Sequence, residues 1–307
     1  MRLHIAPFSA ALRFVLASHA RNRLALVLAV AFTPGWLFVT RACSYHVNLH
    51  FQVFPAGGYI DADNNQTSQV SSVMNSVTVI TGFMAFLETL KSGPLERRLV
   101  LAGYRRRHLM AARTAALGVI AALLALYATA LIDLSFAQRQ VGGTALALFA
   151  ANTAFGGLGV MLGFLLRGEL EGFFVVIMTS IVDNGLQNPG LNPPADQLGL
   201  PFLPLYGPSQ AAYAAAFTQA WPGAYAARGL AWFALTTSVG MLAFWLRTRS
   251  YHRPRRPSLP RSPLPAATAS NPVAGRRSRG PRLTGAGPDA GGPPEPLPRH
   301  PAAPRSE

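Results

Sequence analysis

Six apolar runs constrain this 307-residue chain more than any other feature of its sequence. They cover residues 24–40, 70–90, 109–134, 142–166, 172–182 and 229–246. Crossing the hydrocarbon core of a bilayer takes about 17–25 largely apolar helical residues. Charged residues make up only 13% of the chain, about half the share found in soluble domains. The sequence therefore predicts an all-α integral membrane protein with six transmembrane helices.

The fifth run is the shortest, because Asp183 interrupts it. This helix is expected either to end there or to continue as a polar helix in a protected setting. The first run contains Pro34, which removes a hydrogen bond from the helix and predicts a kink. In the fourth run, Gly159 and Gly163 have the four-residue spacing that permits close approach of a second helix.

Basic residues are distributed very unevenly between the loops. With both termini in the cytoplasm, 24 of the 27 lysine and arginine residues lie inside, and Arg41, Arg139 and Arg228 lie outside. An excess of positive charge in cytoplasmic loops sets the orientation of membrane proteins. The net charge of +15 is therefore interpreted as topology, and nucleic-acid binding is the weaker interpretation. The predicted location is the cell membrane.

The loop at residues 91–108 is the most informative charged segment. It holds five arginines and Lys91, the only lysine of the chain. Its leucines recur at helical spacing, which predicts a helix that lies along the cytoplasmic face and can bind another protein. Glu169 and Glu171 lie in the short inner turn between the fourth and fifth runs. They are candidates for a second contact with the same partner, and solvated turn charges are the alternative.

Three flanking segments complete the predicted organisation. Residues 1–22 favour an amphipathic helix in the membrane interface, with a frayed leader as the alternative. Residues 183–227 are rich in proline, which favours an outer re-entrant segment over a plain external loop. Residues 251–307 are rich in proline and arginine and are predicted to be a disordered cytoplasmic tail. The six-span membrane domain then covers residues 23–250.

The polar residues predicted to lie within the membrane do not form a catalytic pattern. A Walker A loop needs glycine before its lysine, but Lys91 follows Leu90. Cys43 is the only cysteine, and neither a metal nor a cofactor site is expected in this chain. Polar residues inside the predicted spans are candidates for lining a substrate path, and bonding between helices is the alternative. The candidates are Asn75, Asn152, Thr179, Asp183 and Thr236.

The inner loop resembles that of the permease subunits of ABC-2 type transporters. The family pattern has a glutamate, Gly-Thr-Leu-Glu, a leucine pair, a proline turn and a basic residue that opens the third span. The matching residues are Glu88, Gly93-Pro94-Leu95-Glu96, Leu99 and Leu101, Gly103-Tyr104-Arg105 and Arg113. Pro94 stands where threonine is usual, and Ala102-Gly103-Tyr104 replaces the proline turn.

The resemblance implies a fold of six spans with an N-terminal interfacial helix, a cytoplasmic coupling helix and an outer re-entrant segment. It also implies a separate ATP-binding subunit, which binds ATP and Mg and docks on the coupling helix, and a second permease copy. The residues expected to couple to that subunit are Gly93, Leu95, Glu96, Arg97, Arg98, Leu99, Arg105, Arg106, Arg107, Glu169 and Glu171. The expected function is export of a hydrophobic or amphipathic compound. A membrane structural or assembly protein without transport activity is the alternative.

Overall fold

The computed structural model describes residues 2–21, 27–101, 106–195 and 197–249. These residues belong to one compact unit. Its main elements are eight α-helices and one β-hairpin, joined by a π turn and two short 3-10 helices. The helices are α1 (Arg2–Arg21), α2 (Thr33–Cys43), α3 (Asn64–Leu101), α4 (Arg106–Ser135), α5 (Val141–Leu165), α6 (Glu169–Leu186), α7 (Tyr206–Phe217) and α8 (Gly223–Arg249). The predicted tail lies outside the described residues.

Four described helices are long and apolar enough to cross a bilayer. They are Asn64–Gly93 within α3, His108–Ser135 within α4, all of α5, and Gly223–Leu246 within α8. The other two predicted spans are shorter or more charged. The first is helical over Leu28–Cys43. The fifth is α6, which carries Glu169, Glu171 and Asp183 within 18 residues and continues three residues beyond Asp183.

The predicted distortion at Pro34 is present as a π turn over Leu28–Phe32, directly before α2. Proline has no N–H to donate to the carbonyl four residues earlier, which belongs to Val30. The hydroxyl of Tyr127 on α4 donates to that carbonyl oxygen at 2.8 Å. A side chain of a neighbouring helix therefore replaces the hydrogen bond that proline removes, as is common where helices are broken within membranes.

The helix α3 runs without a break through Gly93 and Pro94 to Leu101. The predicted coupling helix at residues 93–108 is therefore not a separate element in the described residues, because its first nine residues extend α3. No Cβ contact crowds Gly93, and the leucines beyond it keep helical spacing, so nothing in this stretch forces the helix to turn. Residues 102–105 lie outside the described part, and α4 begins at Arg106.

The segment between the first two predicted spans contains a hairpin, which is the departure from an all-α fold in the described chain. Strand β1 (Asn48–Val53) pairs antiparallel with β2 (Gly58–Asp63), with Val53 opposite Gly58. The connection turns through Gly57, whose φ of 79° favours glycine. Phe51 is fully buried and its ring meets that of Tyr213 edge to face at 5.7 Å. The hairpin thereby covers one end of the helix bundle, which we call the hairpin end.

The centre of the bundle is α5, which packs against α3, α4, α7 and α8. The contact with α3 is very close. A Cβ on Gly159 would lie 2.1 Å from the Gly82 carbonyl oxygen, and one on Gly163 would lie 2.5 Å from Thr89 Cβ. The predicted small-residue spacing therefore marks a real crossing, between α5 and α3.

The proline-rich segment after α6 contains a buried helix. Every described residue of α7 except Phe217 is buried. Its C-terminal end is held at the hairpin end, where the backbone N–H groups of Arg139 and Gln140 donate to the carbonyls of Ala216 and Ala215 at 3.0 and 2.9 Å. Gln210 in its middle accepts from the Phe54 N–H at 3.0 Å. This segment is consequently part of the packed core.

Candidate functional site

A row of polar side chains joins α3 to α6. Ser71, Asn75 and Thr78 lie on one face of α3, because they are four and three residues apart. Ser71 Oγ donates to Asn184 Oδ1 at 3.2 Å. Ser180 Oγ donates to Asn75 Oδ1 at 2.7 Å and lies 3.5 Å from Thr78 Oγ1. We call these five residues the polar seam.

The polar seam fixes the register of α6 on α3. Hydroxyl and amide groups without water must bond to protein, and such a bond between membrane helices contributes about 0.6 kcal/mol on average. Sliding α6 by one residue would separate Ser180 from both Asn75 and Thr78. Gly172, also on α6, adds a steric restraint, because a Cβ there would lie 1.9 Å from the Phe86 ring.

Asp183 lies on α6 next to the polar seam and is only 1% exposed. Its Oδ2 accepts from the backbone N–H of Leu205 at 2.9 Å, and Leu205 directly precedes α7. A carboxylate oxygen is a strong acceptor for a backbone N–H. Through this bond Asp183 anchors the start of α7 to α6, so the polar seam, α6 and the buried helix form one connected unit.

The structure separates the five residues predicted to line a substrate path. Asn75 and Asp183 belong to the connected unit, and Thr179 is half-buried beside Ser180. Asn152 lies on α5, where its Nδ2 donates to the Ala121 carbonyl and its Oδ1 accepts from Thr81, both at 3.4 Å. The side-chain amides of Asn75 and Asn152 are therefore hydrogen-bonded between helices.

Thr236 lies apart from the other candidates, on α8. Its hydroxyl donates to the carbonyl of Trp232 at 2.8 Å within the same helix. It packs at Gly157 of α5, where a Cβ would lie 2.4 Å from Thr236 Oγ1. Thr236 is therefore part of the packing contact between α5 and α8.

Asn75 is the one member of the polar seam among the predicted candidates, and Ser71, Thr78, Ser180 and Asn184 were missed. The signal for Ser71 and Thr78 is their spacing of four and three residues from Asn75, which places a polar stripe on an otherwise apolar helix. The partner of Asp183 had no side-chain signal at all, because a backbone N–H of residue 205 supplies it.

The opposite end of α3 meets the turn between α5 and α6. Lys91 Nζ lies 3.7 Å from Glu169 Oε1, and each side chain is 62% exposed. Arg98, Arg167 and Glu171 are also exposed. We call the surface formed by these five residues the basic end. Because exposed ion pairs contribute about 0–1 kcal/mol, this surface is available for a partner at little cost to the fold.

The remaining described residues predicted to couple to an ATP-binding subunit belong to α3 and α4. Leu99 packs on an apolar cluster that includes Leu109 and Met110, so it attaches the extension of α3 to α4. Gly93 is half-buried. The structure places Leu95, Glu96 and Arg97 within α3, and Arg106 and Arg107 at the start of α4. Arg105 lies outside the described residues.

Arg113, the residue matched to the basic position that opens the third span, is buried with 4% exposure. Its guanidinium donates to Ser92 Oγ on α3 and lies over the Phe164 ring of α5 at 5.7 Å. A cation over an aromatic face is favoured by the ring quadrupole. Arg113 therefore ties α4 to both α3 and α5 close to the basic end.

Two histidines at the hairpin end have carboxylate partners. His46 Nδ1 lies 2.7 Å from Asp63 Oδ2, and His50 Nδ1 lies 3.0 Å from Asp61 Oδ1. Within the described ranges no group of three or more histidine, cysteine or acidic side chains is placed to hold a metal ion. No protein-family model matches the chain, and a search of the curated proteins finds no match. The geometry of the polar seam and the basic end is what bears on function.

Proposed function

We propose that this chain is the transmembrane permease subunit of an ABC-2 type transporter. It exports a hydrophobic or amphipathic compound, driven by ATP that a separate subunit hydrolyses. The observation that carries the proposal is the Lys91–Glu169 contact at the basic end. It brings together the two chain segments that the sequence predicts to contact a cytoplasmic partner, so they form one surface.

The proposed topology has six spans. The segment ending in α2 and the helix α6 join the four helices that are long enough to cross a bilayer. The basic end then faces the cytoplasm, in agreement with the distribution of 24 basic residues inside and three outside. The hairpin and α7 lie on the outer side, where α7 serves as the re-entrant segment of the family.

The length of α3 suggests how movement at the basic end reaches the outer side. Its 38 residues correspond to about 57 Å at 1.5 Å per residue. One end contributes Lys91 and Arg98 to the basic end, and the other contributes Ser71 and Asn75 to the polar seam. Closure of the nucleotide-bound subunits would tilt α3 as a rod. Through the polar seam and Asp183, α6 and α7 would then move together with α3.

The partner subunit binds ATP and Mg, and two permease copies enclose the central path. The chain itself needs no cofactor for this role, because it contributes only the docking surface and the path. The side chains exposed on α4 and α8 include Leu123, Leu126, Leu235 and Leu242, as expected of helices that contact lipid.

Replacing residues 93–108 by a scrambled helix of equal charge tests the proposal. The total charge of the loop stays constant, so the membrane topology is preserved. ATPase stimulation and co-purification with the ATP-binding subunit are expected to be lost. Charge reversal at Arg97, Arg98 and Arg105 is expected to abolish transport.

A structural or assembly protein would behave differently. Such a protein keeps its partners and its assembly when the loop is scrambled, because only the number of positive charges matters. If the purified chain never co-isolates with an ATPase, and transport persists after the three reversals, the proposal is wrong.

A further inference from the structure

A cavity of about 420 Å³ lies between α4, α5 and α8. Met110 and Arg113 line it from α4, Phe164 from α5, and Phe233, Thr237 and Met241 from α8. The three residues of α8 are four apart and therefore form one stripe along that helix. The cavity is far larger than the roughly 30 Å³ share of one water molecule. A space of this size with mainly apolar walls favours an apolar ligand over water.

The mouth of the cavity faces the surface that lipid would cover. Met241 is 44% exposed, and Leu242, Trp245 and Leu246 continue the apolar surface on α8. Leu123 is also exposed on α4. An acyl chain can enter from the bilayer without crossing a polar barrier. None of the five candidate substrate-path residues is among the residues that line the cavity.

Three polar residues line the cavity: Arg113, Thr114 and Thr237. The Thr114 hydroxyl donates to the Met110 carbonyl of its own helix, so Arg113 and Thr237 are the groups that select what lies beside the acyl chain. The Arg113 guanidinium provides a permanent positive charge in the wall. The Thr237 hydroxyl is buried and has no hydrogen-bond partner among the described atoms, although Thr236 and Ser238 beside it donate to carbonyls of their own helix. A ligand oxygen would satisfy the Thr237 hydroxyl.

The sequence next to the cavity adds further positive charge. Arg105, Arg106 and Arg107 follow one another in the sequence. The helix α4 begins at Arg106, seven residues before Arg113, or about 10 Å along a helix. Basic clusters beside cavities between membrane helices on the cytoplasmic side are typical of sites for anionic lipid headgroups.

We propose that this cavity is a binding site for one anionic phospholipid of the inner leaflet. An acyl chain fills the space between Phe164 and Met241, an ester oxygen accepts from Thr237, and the phosphate lies beside the Arg113 guanidinium. The site rests on the proposed topology, which places this end of the bundle in the inner leaflet, but not on the proposed transport activity. It would hold α4 against α8 where these helices otherwise leave a gap.

Native mass spectrometry of the full chain released from phospholipid nanodiscs tests this site. The nanodiscs contain phosphatidylcholine and phosphatidylglycerol at four to one. The wild-type chain is expected to retain one phosphatidylglycerol, enriched about fivefold or more over its share of the bilayer. Arg113→Gln is expected to lower this enrichment about fivefold, the factor for one basic residue near an anionic surface.

A second pair of variants keeps the test informative if Arg113→Gln fails to fold. Met241→Trp fills the mouth and is expected to lose the retained lipid, while Leu242→Trp, an equal change on the adjacent lipid-facing position, keeps it. Retention of phosphatidylcholine and phosphatidylglycerol in their bilayer ratio would overturn the proposal. Equal retention by the two tryptophan variants would overturn it as well.

Discussion

Replacing Gly159 by alanine is expected to destabilise the helix bundle, because α3 passes too close to α5 for a methyl group. A Cβ at this position lies 2.1 Å from the Gly82 carbonyl oxygen and 3.0 Å from the Phe86 backbone nitrogen. Ordinary contacts begin near 3.4 Å, so the shortfall against Gly82 is about 1.3 Å. A flexible side chain could rotate away, but a helix backbone cannot, and the two helices must separate.

The expected cost follows from this geometry. Overpacking a core costs about 1–3 kcal/mol, and a clash with backbone belongs in the upper half of that range. For a domain of 150–250 residues, each kcal/mol lowers Tm by about 2–4 °C. Gly159→Ala should therefore lower the Tm of the purified protein in detergent by roughly 5–10 °C, measured by thermal unfolding with intrinsic fluorescence.

Gly118→Ala is the matched control. Gly118 lies inside α4, and no atom lies within 4 Å of a Cβ placed there. Alanine gains up to about 1 kcal/mol over glycine in a helix, so this variant should keep or raise Tm. Equal Tm values for the two variants would refute the close crossing of α3 and α5.

Two further predictions concern bonds that the helices make across the bundle. Tyr127→Phe leaves the Val30 carbonyl without its donor and should lower the free energy of unfolding by about 1 kcal/mol. In a double-mutant cycle of thermal unfolding, Pro34→Ala restores the N–H at residue 34 and should remove the cost of Tyr127→Phe. An unchanged cost in the Pro34→Ala background would contradict this explanation. Asp183→Leu removes the acceptor for Leu205 and should expose residues 187–205 to proteinase K. Asp183→Asn keeps an acceptor oxygen and should stay protected, so equal cleavage of both variants would contradict the anchor.

The four longest helices could be predicted from the sequence, because continuous apolar runs leave few alternatives to spanning helices. The β-hairpin could not be recognised as easily. Leu49, Phe51 and Val53 alternate with polar residues as strands do, and Gly57 supplies the turn, but the run is only six residues long. Its stability depends on burying Phe51 against Tyr213, a contact between residues 162 positions apart.

The continuation of α3 beyond Gly93 could not be predicted from the sequence for a related reason. Proline suits the first turn of a helix, so Pro94 is compatible with a separate coupling helix, and only the surrounding structure shows that the preceding helix continues through it. The polar stripe of Ser71, Asn75 and Thr78 is visible in the sequence, yet nothing local identifies Ser180 and Asn184 as its partners. Pairing across a bundle depends on how whole helices pack.

A binding measurement with two charge reversals tests docking of the ATP-binding subunit at the basic end. Arg98 lies at the basic end, and Arg139 is another exposed arginine, which follows α4 at the hairpin end. Arg98→Glu should weaken the affinity of the purified chain for its ATP-binding subunit about tenfold or more, because like charges across an interface cost several kcal/mol. Arg139→Glu should leave that affinity unchanged. Equal affinity for both variants, or an equal loss in both, would contradict docking at the basic end.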